Sequence, residues 1–293
     1  MNFGPIWFKR SVRSSGYFPS SKYMLAKVDQ GDINRHNFYA LRPHLPNDRR
    51  PYNQITRCSA DPLYNPKAED AIMLYRPLFW TSFWAEDWLT SKAPRSSDAV
   101  IISSASSKTG FCLALVVKKR NPERRTIGLT SKRNVDFVKS LGVFDDVIQY
   151  DDFQSIDIKR GPYVYADVAG NDELNEKVLG HLEKALAFGF VLGMSHGSPE
   201  SKPKKNAHGM EMFFMPEWMH DVRKRTSVQE IARRQKEAWE WLMVDGKNWV
   251  RFQSYEGGPA VLRKLKATLS GSVGPDEGLV FSLWDSSTMK ARL

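Results

Sequence analysis

An α/β fold built on a parallel sheet is predicted for the middle of this 293-residue chain, on three observations. Short apolar runs rich in β-branched residues recur between Ala99 and His196. Runs of that kind suit strands buried on both faces, as parallel strands are. Amphipathic stretches at helical spacing lie between them, and this alternation implies βαβ units.

Taken in order, the elements begin indistinctly. Residues 1–90 are rich in Pro, Arg, Asn and aromatics, and their periodicity is poor. Short strands are expected at Tyr23–Val28 and Asn37–Leu41, with Pro43, Pro46, Pro51, Pro62 and Pro66 punctuating turns. From Ala68 to Leu89 the spacing predicts an aromatic-rich helix, which Pro77 is expected to break or restart. A loop follows at Ser91–Asp98.

Beyond it the signals sharpen. Strands are predicted at Ala99–Ser104, Arg125–Ser131, Asp145–Tyr150, Tyr163–Gly170 and Phe188–His196. Helices are predicted at Phe111–Lys119, at Asn134–Leu141 (ended by Gly142) and at Asp172–Ala187. After a polar loop at Gly197–Gly209, Gly209–Pro216 reads as a strand and Val228–Val244 as a long amphipathic helix. A strand around Asn248–Phe252, a helix at Gly258–Leu269 and a strand at Gly278–Leu283 complete the chain. Neither an internal repeat nor a long low-complexity tract is present.

Composition narrows the classes. Hydrophobic residues make up 41% and charged residues 26%, which suffices for a sizeable core. No apolar run approaches the roughly 20 residues that span a bilayer, so no membrane partner is expected. The first residues do not read as a secretory signal, because their basic residues follow the apolar ones. The two cysteines, Cys58 and Cys112, cannot build a disulfide framework or a multi-cysteine zinc site, and their use fits a reducing, cytoplasmic compartment. The formal charge of +10 allows a nucleic-acid binder or a cleft that attracts an anionic ligand. Scattered rather than striped, the basic residues favour the second reading and no nucleic-acid partner.

The informative stretch is Val100–Leu115, a strand, a turn of small residues and a helix. A Rossmann-type domain binds pyrophosphate at such a turn, because the helix start offers unpaired N–H groups and a positive dipole end. Close backbone approach requires small residues at three places. Ser104, Ser107 and Gly110, with two residues between successive members, occupy them, so only the last glycine of the fingerprint is kept. Ser104, Ser106, Ser107, Lys108, Thr109 and Gly110 are the expected pyrophosphate contacts. A P-loop is the rival, from Lys108-Thr109, but it needs glycine where Ile102 and Ser107 stand.

Thr130-Ser131 ends the second strand, about 20 residues beyond Gly110, where an acidic residue would hold the ribose of NAD. Here Ser131, Lys132 and Arg133 offer a hydroxyl and two cations, which favours the 2′-phosphate of NADP(H). Gly193, Ser195 and His196 lie at the carboxyl end of the fifth strand, where open sheets bind ligands.

The segments VIISSASSKTG, IGLTSKRNVDFVKSLGVFDDVIQYDD and VYADVAGN resemble the nucleotide-binding half of medium-chain dehydrogenase/reductases, in particular the zinc-free, quinone-oxidoreductase-like branch. MLYRPLFWTSF, SSASSKTG, GMSHG and FFMPEWM are also similar to an uncharacterised microbial family related to that branch. The resemblance implies a Rossmann domain at residues 91–220, a shortened, β-rich GroES-like domain at 1–90, and C-terminal elements at 221–293 that pack on both. It implies NADP(H) as cofactor, with Thr81 near its nicotinamide end. Hydride transfer to or from a carbonyl, enone or quinone-type small molecule is the implied activity. The alternative is a non-catalytic nucleotide-binding or scaffold protein descended from such an enzyme, motivated by the shortened domain. No cluster of zinc-ligand character is present, so metal-independent chemistry is expected. Tyr17, Tyr52 and Asn53 are then the polar candidates for catalysis. A homodimer through an edge strand such as Met210–Met215 is a further expectation of the resemblance. Ala291-Arg292-Leu293 resembles a peroxisomal address, the one feature set against a cytoplasmic location.

Overall fold

A computed structural model describes residues 14–15, 28–41, 53–93, 97, 99–168, 170–192, 208–271 and 273–285. The strand expected at Tyr23–Val28, apart from its last residue, and the C-terminal tripeptide lie outside them. The chain divides into two compact units, one comprising residues 1–73, 252–273 and 279–293, the other 74–251 and 274–278.

In the first unit, strands β1 (Ser14–Ser15), β2 (Asn37–Tyr39) and β3 (Gln54–Arg57) form an antiparallel sheet in the order β1-β3-β2. Phe38, Ala40 and Ile55 make a small core there, with Val28 packed against it.

Helix α1 (Glu69–Lys92) leads into the second unit. The sequence predicts a break at Pro77, yet the helix runs through it. Proline removes one backbone bond and costs about 3 kcal/mol in a helix interior. What holds the helix is burial: Tyr75, Phe79, Phe83, Trp84, Trp88 and Leu89 are all buried. Each large apolar side chain removed from water contributes about 1.5–3 kcal/mol, so the stripe outweighs the proline. Phe79 and Trp80 meet Trp239 at 5.9 and 5.8 Å between ring centroids, and Trp88 meets Phe190 at 5.4 Å.

The second unit is organised by one parallel sheet. Its strands are β4 (Ala99–Ile102), β5 (Arg125–Thr130), β6 (Asp146–Gln149), β7 (Tyr163–Asp167), β8 (Leu186–Val191) and β9 (Glu211–Met212). They lie in the order β6-β5-β4-β7-β8-β9, every neighbouring pair parallel. Numbered from β4, that order is 3-2-1-4-5-6, the doubly wound Rossmann arrangement. The fold class read from the sequence is therefore correct, and so are five strand positions to within a few residues.

Helix α2 (Lys108–Arg120) buries Gly110 through Val117 without a gap. Helices α3 (Val135–Ser140) and α4 (Asp172–Leu182) are the next crossovers. Ala99, Ile101, Leu129, Tyr163, Tyr165 and Val178 form the core on one face of the sheet. Helix α5 (Met215–Arg225) was not expected. Its start, Met215-Pro216, was read as the end of a strand, although Pro in the first turn and Arg223-Lys224-Arg225 in the last are helix signals. Helix α6 (Val228–Asp245) follows. Strand β10 (Arg251–Glu256), helix α7 (Gly258–Leu269) and strand β11 (Glu277–Ser282) come last, β10 pairing with β11.

Candidate functional site

In the order 3-2-1-4-5-6 the strand direction of travel reverses between β4 and β7. Open α/β sheets bind ligands outside the carboxyl ends of the strands at that point. The residues after β4 are Ser103 to Ser107, the turn singled out in the sequence.

Buried polar bonds fix the floor of the turn. Asp167, 1% exposed at the end of β7, accepts from Ser103 Oγ at 3.0 Å, Asn175 Nδ2 at 2.8 Å and the Gly170 amide at 3.0 Å. Ser103 Oγ in turn accepts from the Val168 amide at 3.0 Å. Tyr165 Oη donates to Asn175 Oδ1 at 2.8 Å, and burial, with Asp167 close by, raises its pKa. The two strand ends flanking the switch point are thereby tied together.

Above this floor the backbone is unusual. Ser104 has φ +48°, a left-handed conformation that non-glycine residues rarely adopt. The Ser107 amide donates back to the Ser104 carbonyl at 2.8 Å. Ser107 then caps α2, its Oγ accepting from the Gly110 amide at 3.0 Å. The amides of Lys108 and Thr109, at the first two helical positions, have no intrahelical acceptor and point out of the helix start. Gly110 is required by space: a Cβ there would lie 2.6 Å from the Ser104 carbonyl oxygen. The surviving glycine of the fingerprint thus lets helix and turn approach closely.

Across the turn stand the residues after β5. Lys132 and Arg133 are exposed, and among the described residues neither side chain makes a hydrogen bond or ion pair. No carboxylate stands at Thr130-Ser131. Asn134 Nδ2 donates to Ser106 Oγ at 3.0 Å and pins this segment to the turn. Ser104 Oγ lies 3.3 Å from Tyr150 Oη, at the carboxyl end of β6. Sequence reading missed Asn134 and Tyr150. Tyr150 directly follows the last residue of a strand, so the carboxyl-end rule applied to the third strand as it was to the first two would have found it.

The structure brings Ser104, Ser106, Ser107, Lys108, Thr109, Gly110, Ser131, Lys132 and Arg133 to this one end of the sheet. Lys108 Nζ donates to the Pro275 carbonyl at 3.0 Å, and burial lowers its pKa. Thr81 is half-buried and donates to the Pro77 carbonyl at 2.9 Å. The next residue, Ser82, donates to the Thr109 carbonyl at 2.8 Å, which anchors α1 to the first turn of α2. Asn53 is buried in the first unit. Tyr17, Tyr52, Gly193, Ser195 and His196 lie outside the described residues. Cys112 is buried within α2, and burial raises its thiol pKa, so it is a core residue.

A cavity of about 830 Å3 opens at the opposite, amino end of the sheet, lined by Arg124, Arg125, Asp145, Asp146 and Arg160 among others. Its charges serve one another: Arg125 pairs with Asp146, Lys118 with Asp145, and Arg124 donates to Ser97 Oγ at 2.8 Å. It is a seam of ion pairs at the end of the strands where such sheets do not bind ligands. Among the described residues no group of three His, Cys, Asp or Glu is placed to hold a metal ion, and no helix is long and apolar enough to cross a membrane.

Strand order, strained turn and close-packed glycine together define a Rossmann-type α/β protein with a dinucleotide-type turn. The chain belongs to the family described as Protein of unknown function (DUF2855), whose model matches residues 12–274. No curated protein matches it in sequence. Similar solved structures include CurA from Vibrio vulnificus in complex with NADPH, at 16% identity and TM-score 0.51, covering 75% of this chain and 67% of that one. The CurK enoyl reductase is similar at 14% identity and TM-score 0.51, covering 80% of this chain and 70% of that one. For the JamJ enoyl reductase in its apo form the values are 14%, 0.50, 78% and 66%. The likeness is one of fold, and the chain spans about two thirds of the length of these structures.

Proposed function

We propose that this chain is an NADP(H)-dependent, zinc-independent oxidoreductase of the medium-chain dehydrogenase/reductase type, acting on a carbonyl, enone or quinone-type small molecule. The observation that carries the reading is the turn after β4: Ser104 at positive φ, and Gly110 packed so that its Cβ position falls 2.6 Å from the Ser104 carbonyl oxygen. Backbone strain of this kind persists where surrounding structure enforces it, and it collects at ligand sites.

The residues present fit a dinucleotide phosphate. The Lys108 and Thr109 amides and the hydroxyls of Ser104 and Ser106 face pyrophosphate, and the helix dipole favours its charge. Lys132 and Arg133 hold the 2′-phosphate, with no carboxylate at the end of β5 to repel it. Tyr150 and Asn134 border the same subsite. When bound, NADPH supplies the hydride, and the chain positions it and sets the local charge. By the resemblance Thr81 would lie toward the nicotinamide end, and Tyr17, Tyr52 and Asn53 are kept as the polar candidates for catalysis. Two of the similar structures are enoyl reductases and one holds NADPH, which supports this class of chemistry.

The test is a fluorescence titration with NADPH and NADH, followed by absorbance at 340 nm with a panel of quinones and enones. Lys132→Glu with Arg133→Glu is expected to weaken NADPH binding by two orders of magnitude or more, on the order of 1.5–3 kcal/mol per charge-assisted contact, and to leave NADH binding nearly unchanged. Equal loss for both nucleotides removes the 2′-phosphate assignment. Binding without turnover on any acceptor replaces the enzyme by the non-catalytic nucleotide-binding alternative.

A further inference from the structure

Lys108 opens helix α2 beside the turn, yet its side chain reaches away from it. Its Nζ donates to the Pro275 carbonyl at 3.0 Å, and no other hydrogen bond to that ammonium exists among the described residues. The receiving segment, Gly274–Gly278, is gripped a second time one residue later. Arg251 Nε and Nη2 donate to Asp276 Oδ2 at 2.9 and 2.6 Å, and the Arg251 amide donates to the Asp276 carbonyl at 2.7 Å. Glu277 closes the segment on itself, its carboxylate accepting from the Gly274 amide at 3.0 Å.

The two grips differ in kind. Arg251 holds a carboxylate through a fork of two donors and adds a backbone bond, and its charge is matched. Lys108 is half-buried and holds only a neutral carbonyl. Burial, the largest influence on it, disfavours its charge, and Asp276, Cys112 and Glu277 only partly offset this. An ammonium has three donors on a flexible stem, and a single one is used here. Both bonds are charge-assisted through the ammonium, but a phosphate adds a full opposite charge that a carbonyl lacks, so a phosphate beside the start of α2 outcompetes the carbonyl for this group.

We propose that Lys108 is a latch shared between segment Gly274–Gly278 and the anion in the turn: a phosphate arriving at the start of α2 draws the ammonium off the Pro275 carbonyl and releases the segment. The inference rests on the dinucleotide reading above. It adds that occupancy of the turn is reported to a segment more than 160 residues away in sequence, through the one contact between Lys108 and Pro275.

Hydrogen exchange of the Gly274–Gly278 amides, followed by mass spectrometry with and without saturating NADP+, tests it. Lys108→Met is expected to exchange these amides on the order of tenfold faster than the wild type without nucleotide, the loss of one hydrogen bond to a charged group. NADP+ is expected to raise the wild type toward that rate and to leave Lys108→Met unchanged. Lys108→Arg, which keeps a cation, is expected to behave as the wild type, and the β4, β5 and β7 amides serve as the folding control. Wild-type exchange in Lys108→Met overturns the latch. So does a segment that NADP+ slows or leaves alone while fluorescence shows the nucleotide bound. If the wild type binds no NADP+ at all, the dinucleotide reading fails, and the latch falls with it.

Discussion

The two ends of the parallel sheet are built from the same strands and do opposite things with charge. At the amino end the prominent side chains are largely paired: Arg125 with Asp146, Lys118 with Asp145, Arg124 with Ser97. At the carboxyl end the polar groups are either locked into the floor, as Asp167 and Ser103 are, or left open, as Lys132, Arg133 and the amides at the start of α2 are. Ion pairs dominate one end, and polar groups without a side-chain partner the other. Surface ion pairs contribute little each, about 0–1 kcal/mol, so the amino end adds register and modest stability rather than specificity. The carboxyl end spends backbone strain at Ser104 instead, which stability alone does not require.

The largest effect that separates the two ends is expected from Gly110→Val. The added side chain would begin 2.6 Å from backbone at Ser104, and backbone cannot swing aside as a flexible side chain can. Helix and turn must separate, which misplaces the amides proposed to face the phosphates. NADPH binding measured by fluorescence is expected to fall beyond detection, with a lowered melting temperature. Retention of wild-type affinity would show that the turn does not hold the nucleotide.

Next in size is a substitution at the ion-paired end. Asp145 accepts from the Thr126 amide at 2.7 Å and from Thr126 Oγ1 at 3.2 Å, and it pairs with Lys118. Burial opposes its charge, but these partners outweigh that and hold its pKa below the usual carboxylate value. A carboxylate lowered on folding contributes stability that is present above its unfolded pKa and is lost as pH falls toward its folded one. Asp145→Ala leaves the buried Thr126 amide without this acceptor, at a cost of about 1–3 kcal/mol. Denaturant unfolding at neutral pH is expected to show that loss, and the difference from the wild type to shrink below pH 4. NADPH affinity is expected to stay within about twofold, since no ligand is read at this end. A large loss of affinity would move the binding site to the amino-end cavity.

How much of this was legible depends on which physics wrote it. Strands β4 and β7 announce themselves because burial on both faces demands nearly unbroken apolar runs, and Ala99–Ile102 and Tyr163–Asp167 supply them. Gly110 is legible because close approach demands glycine. Asn134 is not, because it matters through one hydrogen bond whose partner lies in another βα unit, whereas Tyr150 is marked only by its place at the carboxyl end of β6. The run through Pro77 was missed for a related reason: local chemistry argues for a break, and only tertiary burial of the aromatic face overrules it. The bond from Lys108 to Pro275 joins residues that no periodicity relates.

The smallest effect is the sharpest probe of the strained end. Ser104 occupies a left-handed conformation that costs a non-glycine residue about 1–2 kcal/mol, which glycine would not incur. Glycine also gains freedom in the unfolded chain, worth about 0.4–1 kcal/mol in the opposite direction, and it loses the contact with Tyr150 at 3.3 Å. These terms nearly cancel. Ser104→Gly is therefore expected to shift stability by less than about 1 kcal/mol in a thermal melt and to change NADPH affinity only a few-fold. Ser104→Val cannot relieve the strain and brings a branched Cβ to the same φ, so it is expected to lose both stability and binding. If glycine instead abolished binding while valine preserved it, the left-handed backbone at Ser104 would not be what binding requires, and the turn would owe its shape to something other than close approach to phosphate.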